Sequence, residues 1–406
     1  MVGERIKQAR LASGLTLELV AEKMTEKGCP ITKQGLSKYE RCKSTPTREF
    51  MVQLGAVLGV KVAYFFSATS AVIQWLAFRK LSRMPIKAQE AIKAYAARVV
   101  EDHLWLQTTL FPKERPNFPQ PCAVSSLEGA EELAVALRAA WKLGDLPIDS
   151  LTETVEDHGG VVVACGDIRD DFDGLAGRAN GDIPVAVVST HVPHDRRRFN
   201  LAHELGHLLM AGDSVGTRDG EKMANRFASA LLVPADIARR ELGARRRRIE
   251  LRELGLLKQK YGLSMQGWAT RAHDLAIIEQ GHYKSICAVF SSRHWRKAEP
   301  FHFFGREEPS KLKRMTLRAL AECVITAERA EQLCPGCTGE ITTMKSSRAI
   351  TATELRKLPR THRQAVLADA AAAAQEEYMT NRQLTDFEAF DKDDQHVSHC
   401  DESGER

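Results

Sequence analysis

Hydrophobic positions recur at helical spacing along most of the chain and run together in only two short stretches. Spacing of three and four residues is typical of an amphipathic helix, whereas a short valine-rich run is typical of a buried strand. The predicted helices cover residues 5–13, 17–24, 32–41, 47–58, 71–109 with a break at Pro85, 129–143, 149–158, 198–209, 221–232, 317–333 as a helical pair, and 351–379. The predicted strands cover residues 161–165 and 183–189. This pattern predicts an α+β protein that is mostly helical.

Breaks in the pattern divide the chain into five parts. A proline-rich stretch at 111–121 is the clearest boundary, because proline lacks a backbone donor and interrupts helices. We predict a five-helix domain at 1–68, a helical connector and linker at 69–121, a domain with a small sheet at 122–305, a helical region at 306–392 and an acidic disordered tail at 393–406. The connector either extends the first domain or forms the seam of a homodimer.

The predicted helix at residues 198–209 contains the sequence His-Glu-Leu-Gly-His at positions 203–207. Residues four apart share a helix face, so His203 and His207 can direct one ring nitrogen each toward a single metal ion. Glu204 lies beside that face, where a carboxylate can take a proton from an attacking water. A catalytic zinc takes three protein ligands, so a third ligand is required.

The predicted helix at residues 221–232 begins with a candidate for that ligand. Glu221 lies in its first turn, where a negative charge also suits the helix dipole. Glycines and polar residues before it predict a loop that lets the two helices run side by side. We therefore predict one zinc ion, with manganese as the alternative, held by His203, His207 and Glu221, with Glu204 as the catalytic base. A histidine pair with a purely structural role is the other interpretation.

These two helices resemble those of the ImmA/IrrE-type metallopeptidases. The family pattern is an HELGH helix followed by Glu-x-x-Ala-Asn-x-Phe-Ala-x-x-Leu-Leu-x-Pro, and residues 199–207 and 221–234 match it without a break. The resemblance extends over residues 125–300. It implies a thermolysin-like (zincin) zinc peptidase core whose usual role is to cleave a repressor or an antitoxin.

The net charge of +5 is unevenly distributed. Residues 1–66 carry 11 lysines and arginines against 6 glutamates, whereas residues 386–406 carry 8 acidic residues against 2 basic ones. This asymmetry favours different partners for the two ends of the chain. The sequence has no apolar run of about 18 residues and no signal-peptide core, so we predict a cytoplasmic protein without membrane contact. Nine scattered cysteines fit reduced thiols.

The N-terminal segment predicts a run of short helices with capping residues at their starts. Thr16, Thr32 and Thr47 are placed to cap the second, third and fourth helices. The layout resembles the Cro/repressor-type helix-turn-helix family, which implies that Arg10 in the first helix pairs with Glu40 at the end of the third. The residues that carry this likeness are Arg10, Gly14, Leu15, Ala21, Leu36, Tyr39, Glu40, Pro46 and residues 58–60.

The same resemblance implies that the third helix enters the major groove of a double-stranded DNA operator. The residues expected to face the DNA are Lys33, Gln34, Ser37 and Lys38. Gln34 suits adenine, either lysine suits guanine or phosphate, and Lys43 beyond the helix suits a backbone phosphate. A helical bundle with a solvated polar face, or a protein-binding version of the fold, is the alternative.

Three further features have simpler interpretations. His191 and His194 precede the metal helix and are interpreted as loop histidines rather than site residues. The arginine run at 245–248 is interpreted as a solvated helix face. Cys334 and Cys337 form a single CxxC pair, so the Pro-Gly between them is interpreted as a helix end and not as half of a zinc ribbon.

The sequence as a whole predicts a DNA-binding transcriptional regulator that carries a zinc-dependent endopeptidase domain. Its expected partners are an operator and a repressor or antitoxin-type protein. Within the helical region at 306–392, residues 351–379 and 384–390 resemble the C-terminal part of small antitoxins, which implies a helix that binds a partner. The alternative is a non-catalytic transcription factor or antitoxin that retains the metal site for structure or sensing. Glu204 argues against that alternative, because a structural site requires no such carboxylate.

Overall fold

The computed structural model describes residues 2–66, 71–76, 84–166, 172–211, 217–296 and 298–337. Within these ranges, sixteen helices and six short strands form the α+β, mostly helical fold that the hydrophobic pattern predicts. None of these helices is long and apolar enough to cross a membrane. The predicted helices at 351–379 and the acidic tail lie outside the described residues.

Five short helices form the N-terminal part of the structure, as predicted. They are α1 (Val2–Ala12), α2 (Leu17–Glu26), α3 (Lys33–Glu40), α4 (Arg48–Leu58) and α5 (Val62–Phe66). The three predicted caps are confirmed, since the hydroxyls of Thr16, Thr32 and Thr47 accept hydrogen bonds of 3.1–3.2 Å from backbone N–H groups. The apolar faces meet in a core that contains the fully buried Ile6 and Leu36.

The stretch before Pro85 begins as a strand, so the helix prediction was wrong for its first residues. Strand β1 (Ile73–Trp75) pairs antiparallel with β4 (Gly174–Ala179), with Trp75 opposite Gly177. A Cβ at Gly177 would lie 2.9 Å from the indole ring, so the pairing depends on the small residue there. The partner strand is about a hundred residues away, and local hydrophobic spacing contains no information about it. Residues 77–83 lie outside the described ranges.

Helix α6 (Ile86–Leu110) begins directly after Pro85, as predicted, and contacts several parts of the fold. Ile92, Ala96 and Val100 are buried against the sheet, and Leu106 packs with the C-terminal helices. Helix α1 packs along α6 as well. The segment that the sequence marks as a connector is therefore part of the packed structure, while the exact domain boundaries stay predictions.

A four-stranded sheet supports the central helices, with strand order β1-β4-β5-β3. Strands β3 (Val161–Cys165) and β5 (Ile183–Ser189) coincide with the predicted strands and pair in parallel. Strand β4 pairs antiparallel with β5. Sequence reasoning missed β4 because it contains two glycines, and glycine is uncommon in strands. A second, two-stranded sheet joins β2 (Cys122–Ala123) to β6 (Met210–Ala211) in parallel.

Ten further helices of the described residues surround these sheets: six correspond to predicted helices, with shifts of up to six residues at the ends, and the four between residues 235 and 292 were not predicted. They are α7 (Leu127–Ala140), α8 (Leu151–Asp157), α9 (His194–Leu209), α10 (Arg218–Leu232), α11 (Ala235–Leu242), α12 (Leu251–Tyr261), α13 (Met265–Asp274), α14 (Gln280–Ser292), α15 (Lys311–Ala321) and α16 (Ala327–Leu333). Helix α9 packs on β4 and β5 and also on α10. The central position of α9 determines where the candidate site lies.

Candidate metal centre and DNA-facing surface

Helix α9 places three of the predicted site residues at the centre of the fold. All side chains from residue 200 to residue 209 are buried. His203 and His207 lie one turn apart, and their Nε2 atoms are 3.0 Å from each other. Two imidazole lone pairs therefore converge at one point, as a shared ion requires.

Helix α10 brings the third predicted ligand to the same point. Thr217 caps this helix by accepting a 3.1 Å hydrogen bond from the N–H of Gly220, which places Glu221 in the first turn. The carboxylate oxygens of Glu221 lie 3.3 Å from Nε2 of His207 and 3.6 Å from Nε2 of His203. The ligand atoms of the three residues all lie within 4.8 Å of one another. The two neighbouring imidazoles hold the pKa of Glu221 far below its usual range, so this carboxylate is ionised.

The close approach of α9 and α10 depends on Gly206. A Cβ at this position would lie 3.1 Å from Cδ1 of Phe227 and 3.3 Å from Cα of Ala224. Such distances are shorter than ordinary carbon–carbon contacts, which are about 3.5–4.0 Å. The glycine inside the His-Glu-Leu-Gly-His motif therefore allows α10 to bring its carboxylate next to the two histidines.

Asn225 orients the first histidine, and sequence reasoning assigned it no role. Its Oδ1 lies 2.9 Å from Nδ1 of His203, so the histidine donates from Nδ1 and keeps the lone pair on Nε2. Ligating histidines commonly depend on such a partner for their tautomer and ring orientation. The signal was present in the sequence, because Asn225 follows Glu221 by four residues and shares its helix face.

Glu204 lies next to His203 on α9 and packs against the start of β4. The side chain is 5% exposed. A Cβ added to Gly174 would lie 2.7 Å from its Oε1 and 2.9 Å from its Cγ. The position of this carboxylate therefore depends on the absence of a side chain at Gly174, another residue that sequence reasoning did not identify.

A distant carboxylate anchors the N-terminal half of α9. Glu307 is completely buried and accepts a 2.6 Å hydrogen bond from Nε of Arg198. It also accepts from the backbone N–H groups of Leu151 and Thr152, at the start of α8. The guanidinium of Arg198 lies over the ring of Phe303, 4.6 Å from its centroid. The segment after α14 thus ties α8 to α9, and no local pattern around Glu307 indicates this.

The other histidine and cysteine candidates remain apart from the metal group. His191 is exposed, and Nδ1 of His194 accepts a 3.0 Å hydrogen bond from the N–H of Glu307. Cys337 is buried, and its Sγ lies 3.7 Å from the carbonyl oxygen of Ala330. Burial raises the pKa of Cys337 to about 11. Among the residues that the structure describes, the His203–His207–Glu221 group alone has the composition and spacing of a metal site.

An open cleft of about 620 Å³ runs beside the metal group, between α9 and α10. Asn200 from α9 and Asn225 from α10 line it, together with Phe199 and Trp295. Asn225 both lines the cleft and contacts His203, whereas the three candidate ligands are not among the residues that line it. Its volume lies in the range of binding sites for small molecules and side chains.

Helix α3 presents the predicted DNA-facing residues at the surface. Lys33, Gln34 and Lys38 are exposed, Ser37 is half-buried, and Lys43 is exposed just beyond the helix. On the opposite side, Leu36 is fully buried in the core of the N-terminal helices. The helix therefore has an inner apolar side and an outer polar side, as major-groove entry requires.

The predicted pair between Arg10 and Glu40 is confirmed. Nη2 of Arg10 donates a 3.0 Å hydrogen bond to Oε2 of Glu40, and Nε donates to the other carboxylate oxygen. Nη1 of Arg10 donates a further 3.0 Å hydrogen bond to the carbonyl of Leu15. This bidentate pair joins α1 to the end of α3 and holds the orientation of the exposed helix.

Comparisons with known proteins agree with both parts of this description. Residues 6–65 match the family model of the helix-turn-helix, and residues 164–273 match that of the IrrE N-terminal-like domain of the Peptidase_M78 family. The chain therefore joins a helix-turn-helix domain to an IrrE-like domain of the M78 peptidase family. Together these domains support a DNA-binding regulator with a protease-like domain.

Comparisons of whole proteins add little to these two matches. One similar solved structure is that of Bacillus thuringiensis PlcR in complex with the peptide PapR7 and DNA. It is 12% identical in sequence, covers 85% of this chain and 96% of that chain, and has a TM-score of 0.15, which is too low to carry a structural argument. No curated protein matches the chain.

Proposed function

We propose that this protein is a DNA-binding transcriptional regulator whose M78 domain is a zinc-dependent endopeptidase. The convergence of His203, His207 and Glu221 on one point, beside Glu204, carries this proposal, and a cleft lined by Asn225 lies nearby. Two imidazoles and one carboxylate form a donor set that suits zinc and leaves one coordination position for water. When bound there, zinc would lower the pKa of that water and polarise a substrate carbonyl.

The protein groups around the site have separate roles in this proposal. Glu204 takes a proton from the attacking water and delivers it to the leaving amine, so that the peptide C–N bond breaks as a neutral amine departs. Asn225 holds His203 in the tautomer that keeps Nε2 available. The cleft between α9 and α10 binds the polypeptide next to these groups.

The substrate proposed is a repressor or antitoxin-type protein, as the resemblance to ImmA/IrrE-type peptidases implies. Because a DNA-binding domain shares the chain, the substrate is expected to be bound near the same operator. The competing function is a regulator without turnover, in which the metal group serves structure or sensing. Zinc content and cleavage, measured on the same preparations, separate the two functions.

The test compares the wild type with Glu204→Gln, which keeps the size of the side chain and removes its basicity. We expect one zinc ion per chain in both proteins, and cleavage of a protein encoded beside this one by the wild type alone. Zinc in both without cleavage by either would favour the regulator without turnover. A wild type without bound metal would contradict the proposal itself.

The DNA-binding role is tested on DNA that the protein selects from a random-sequence pool. The double variant Gln34→Ala with Lys38→Ala should bind the selected DNA at least about tenfold more weakly, with a smaller salt dependence. Arg247→Ala removes one exposed charge outside the helix-turn-helix domain and serves as the control. Unchanged affinity and salt dependence in the double variant would contradict DNA recognition by α3.

A further inference from the structure

A cavity of about 850 Å³ lies where the helix-turn-helix domain meets α6 and α16, and it shares no lining residue with the metal group. Its walls come from four separate stretches of the chain. They are Arg5 from α1, residues 59–61 and 64 from the end of α4 and from α5, residues 98, 101, 102 and 105 from α6, and residues 329, 331, 332 and 335 from α16 and its end. Cavities of this size at domain interfaces are typical sites for small molecules.

One face of α6 forms the floor of the cavity and is polar. Arg98, Glu101, Asp102 and Trp105 follow the spacing i, i+3, i+4 and i+7, which places them along one side of the helix. The opposite side of α6 packs apolar residues against the sheet. A charged stripe in this interface is costly to desolvate and adds little stability by itself, so it calls for a functional account.

Both acidic side chains on this face are neutralised within the protein. Glu101 is 6% exposed and pairs with Arg5, which is 2% exposed and lies over the ring of Tyr64. Asp102 accepts a 2.7 Å hydrogen bond from Nη2 of Arg329. The negative charges of α6 are therefore balanced by arginines from its two neighbours.

Two further cations line the cavity, Arg98 and Lys61. Within the described ranges, neither Arg98 nor Lys61 forms an ion pair with a carboxylate. The remaining acid on the lining, Glu331, accepts a 2.6 Å hydrogen bond from the backbone N–H of Gly336 in its own loop. The lining carries four basic side chains against three acidic ones, and this surplus of one positive charge favours an anionic occupant.

Trp105 supplies an aromatic surface at the same cavity. It is 41% exposed, and the guanidinium of Arg329 lies 5.8 Å from its ring centroid. An exposed indole that lines the same cavity as Arg98 and Lys61 suits a ligand with a flat ring and a negative group. The ring would stack on the indole, and the anion would pair with the Arg98 guanidinium.

We propose that this cavity binds a small aromatic carboxylate, with Arg98 and Lys61 as anion partners and Trp105 as the stacking surface. The site lies between the DNA-binding domain and the helices that carry Arg98 and Arg329. This proposal does not depend on peptidase activity or on the presence of a metal.

The experiment is a calorimetric titration of the full chain, first with 2-naphthoate and then, separately, with the neutral 2-naphthamide. It measures the affinity and the number of sites for each ligand. We expect saturable binding of 2-naphthoate with one site per chain, and affinity for the amide at least about tenfold weaker. Arg98→Gln and Lys61→Gln should each weaken 2-naphthoate binding several-fold, and Trp105→Leu should weaken both ligands. Lys61 is exposed, so its variant keeps the fold even if the Arg98 variant does not.

Arg247→Gln, which removes an exposed charge far along the chain, is the control and should bind 2-naphthoate as the wild type does. Absence of saturable binding by the wild type at millimolar ligand would overturn the proposal. The proposal would also be overturned if the acid and the amide bound with equal affinity. The same holds if the single variants Lys61→Gln and Trp105→Leu both bound 2-naphthoate with wild-type affinity.

Discussion

The carboxylate of Glu204 and the backbone of Gly174 are in such close contact that a methyl group at residue 174 would lie 2.7 Å from Oε1 of Glu204. We therefore expect Gly174→Ala to displace the proposed base while it leaves His203 and His207 in place. A misplacement of about an ångström can reduce turnover by up to about a hundredfold. The measurement is kcat/KM for peptide cleavage, together with the zinc content of the same sample.

Gly281→Ala is the matched control for this prediction, because a Cβ at Gly281 meets nothing within 4 Å. It should keep both cleavage and zinc. If Gly174→Ala cleaved at the wild-type rate, the position of Glu204 would not limit the reaction.

Asn225→Ala should weaken zinc binding without removing any ligand. The substitution takes away the acceptor 2.9 Å from Nδ1 of His203, so the imidazole is free to adopt the wrong tautomer and orientation. Loss of such a partner typically reduces metal affinity by about 10–100-fold. Competition with a chelator measures the effect, and Lys222→Ala on the exposed side of the same helix should bind zinc normally. Equal affinities of the two variants would show that Asn225 does not orient the ligand.

Glu307→Gln should destabilise the domain strongly, although residue 307 lies about a hundred residues from the metal helix. It leaves Arg198, which is 1% exposed, without its ionic partner. Removal of one member of a buried ion pair typically costs about 3–5 kcal/mol. Urea unfolding followed by tryptophan fluorescence measures the loss. The neighbouring Glu308 is mostly exposed, so Glu308→Gln should be within about 0.5 kcal/mol of the wild type.

Glu156 should make the stability of the protein depend on pH near neutrality. Burial raises its pKa from 4.5 to about 7, and its Oε2 caps α15 by accepting from the N–H groups of Ser310 and Lys311. The folded chain then binds more protons than the unfolded chain between these two pKa values. The contribution of Glu156 is therefore complete below pH 4.5 and is lost as the pH rises to about 7.

Glu156→Gln should remove this loss and raise the free energy of unfolding above pH 7 by up to about 3 kcal/mol relative to the wild type. His103 acts in the opposite sense, because burial lowers its pKa to about 3 and its contribution is lost as the pH falls below 6.5. Both proteins contain His103, so the difference in their free energies of unfolding across this pH range isolates the contribution of Glu156. Glu153→Gln on the exposed side of α8 is the control, and a pH profile of Glu156→Gln parallel to that of the wild type would contradict the prediction.

Local sequence determined much of this protein. Helical spacing predicted the N-terminal helices with their threonine caps, because a cap and its N–H partner are three residues apart. The same reasoning grouped His203, His207 and Glu221, since two of them share a helix turn and the third heads the next helix. The structure brings these three side chains together. Two valine-rich strands were also predictable from their composition alone.

Only the tertiary structure decided the features that join distant residues. Strand β1 formed where helical spacing predicted a helix, because its hydrogen-bonding partner β4 lies about a hundred residues further along the chain. The contacts of Gly174 with Glu204 and of Glu307 with Arg198 have the same origin. Periodicity and capping describe interactions within a few residues, whereas these contacts arise when separate elements pack against each other. For that reason the sequence alone could name the candidate ligands and the base, and the residues that hold them in position became visible only in the folded chain.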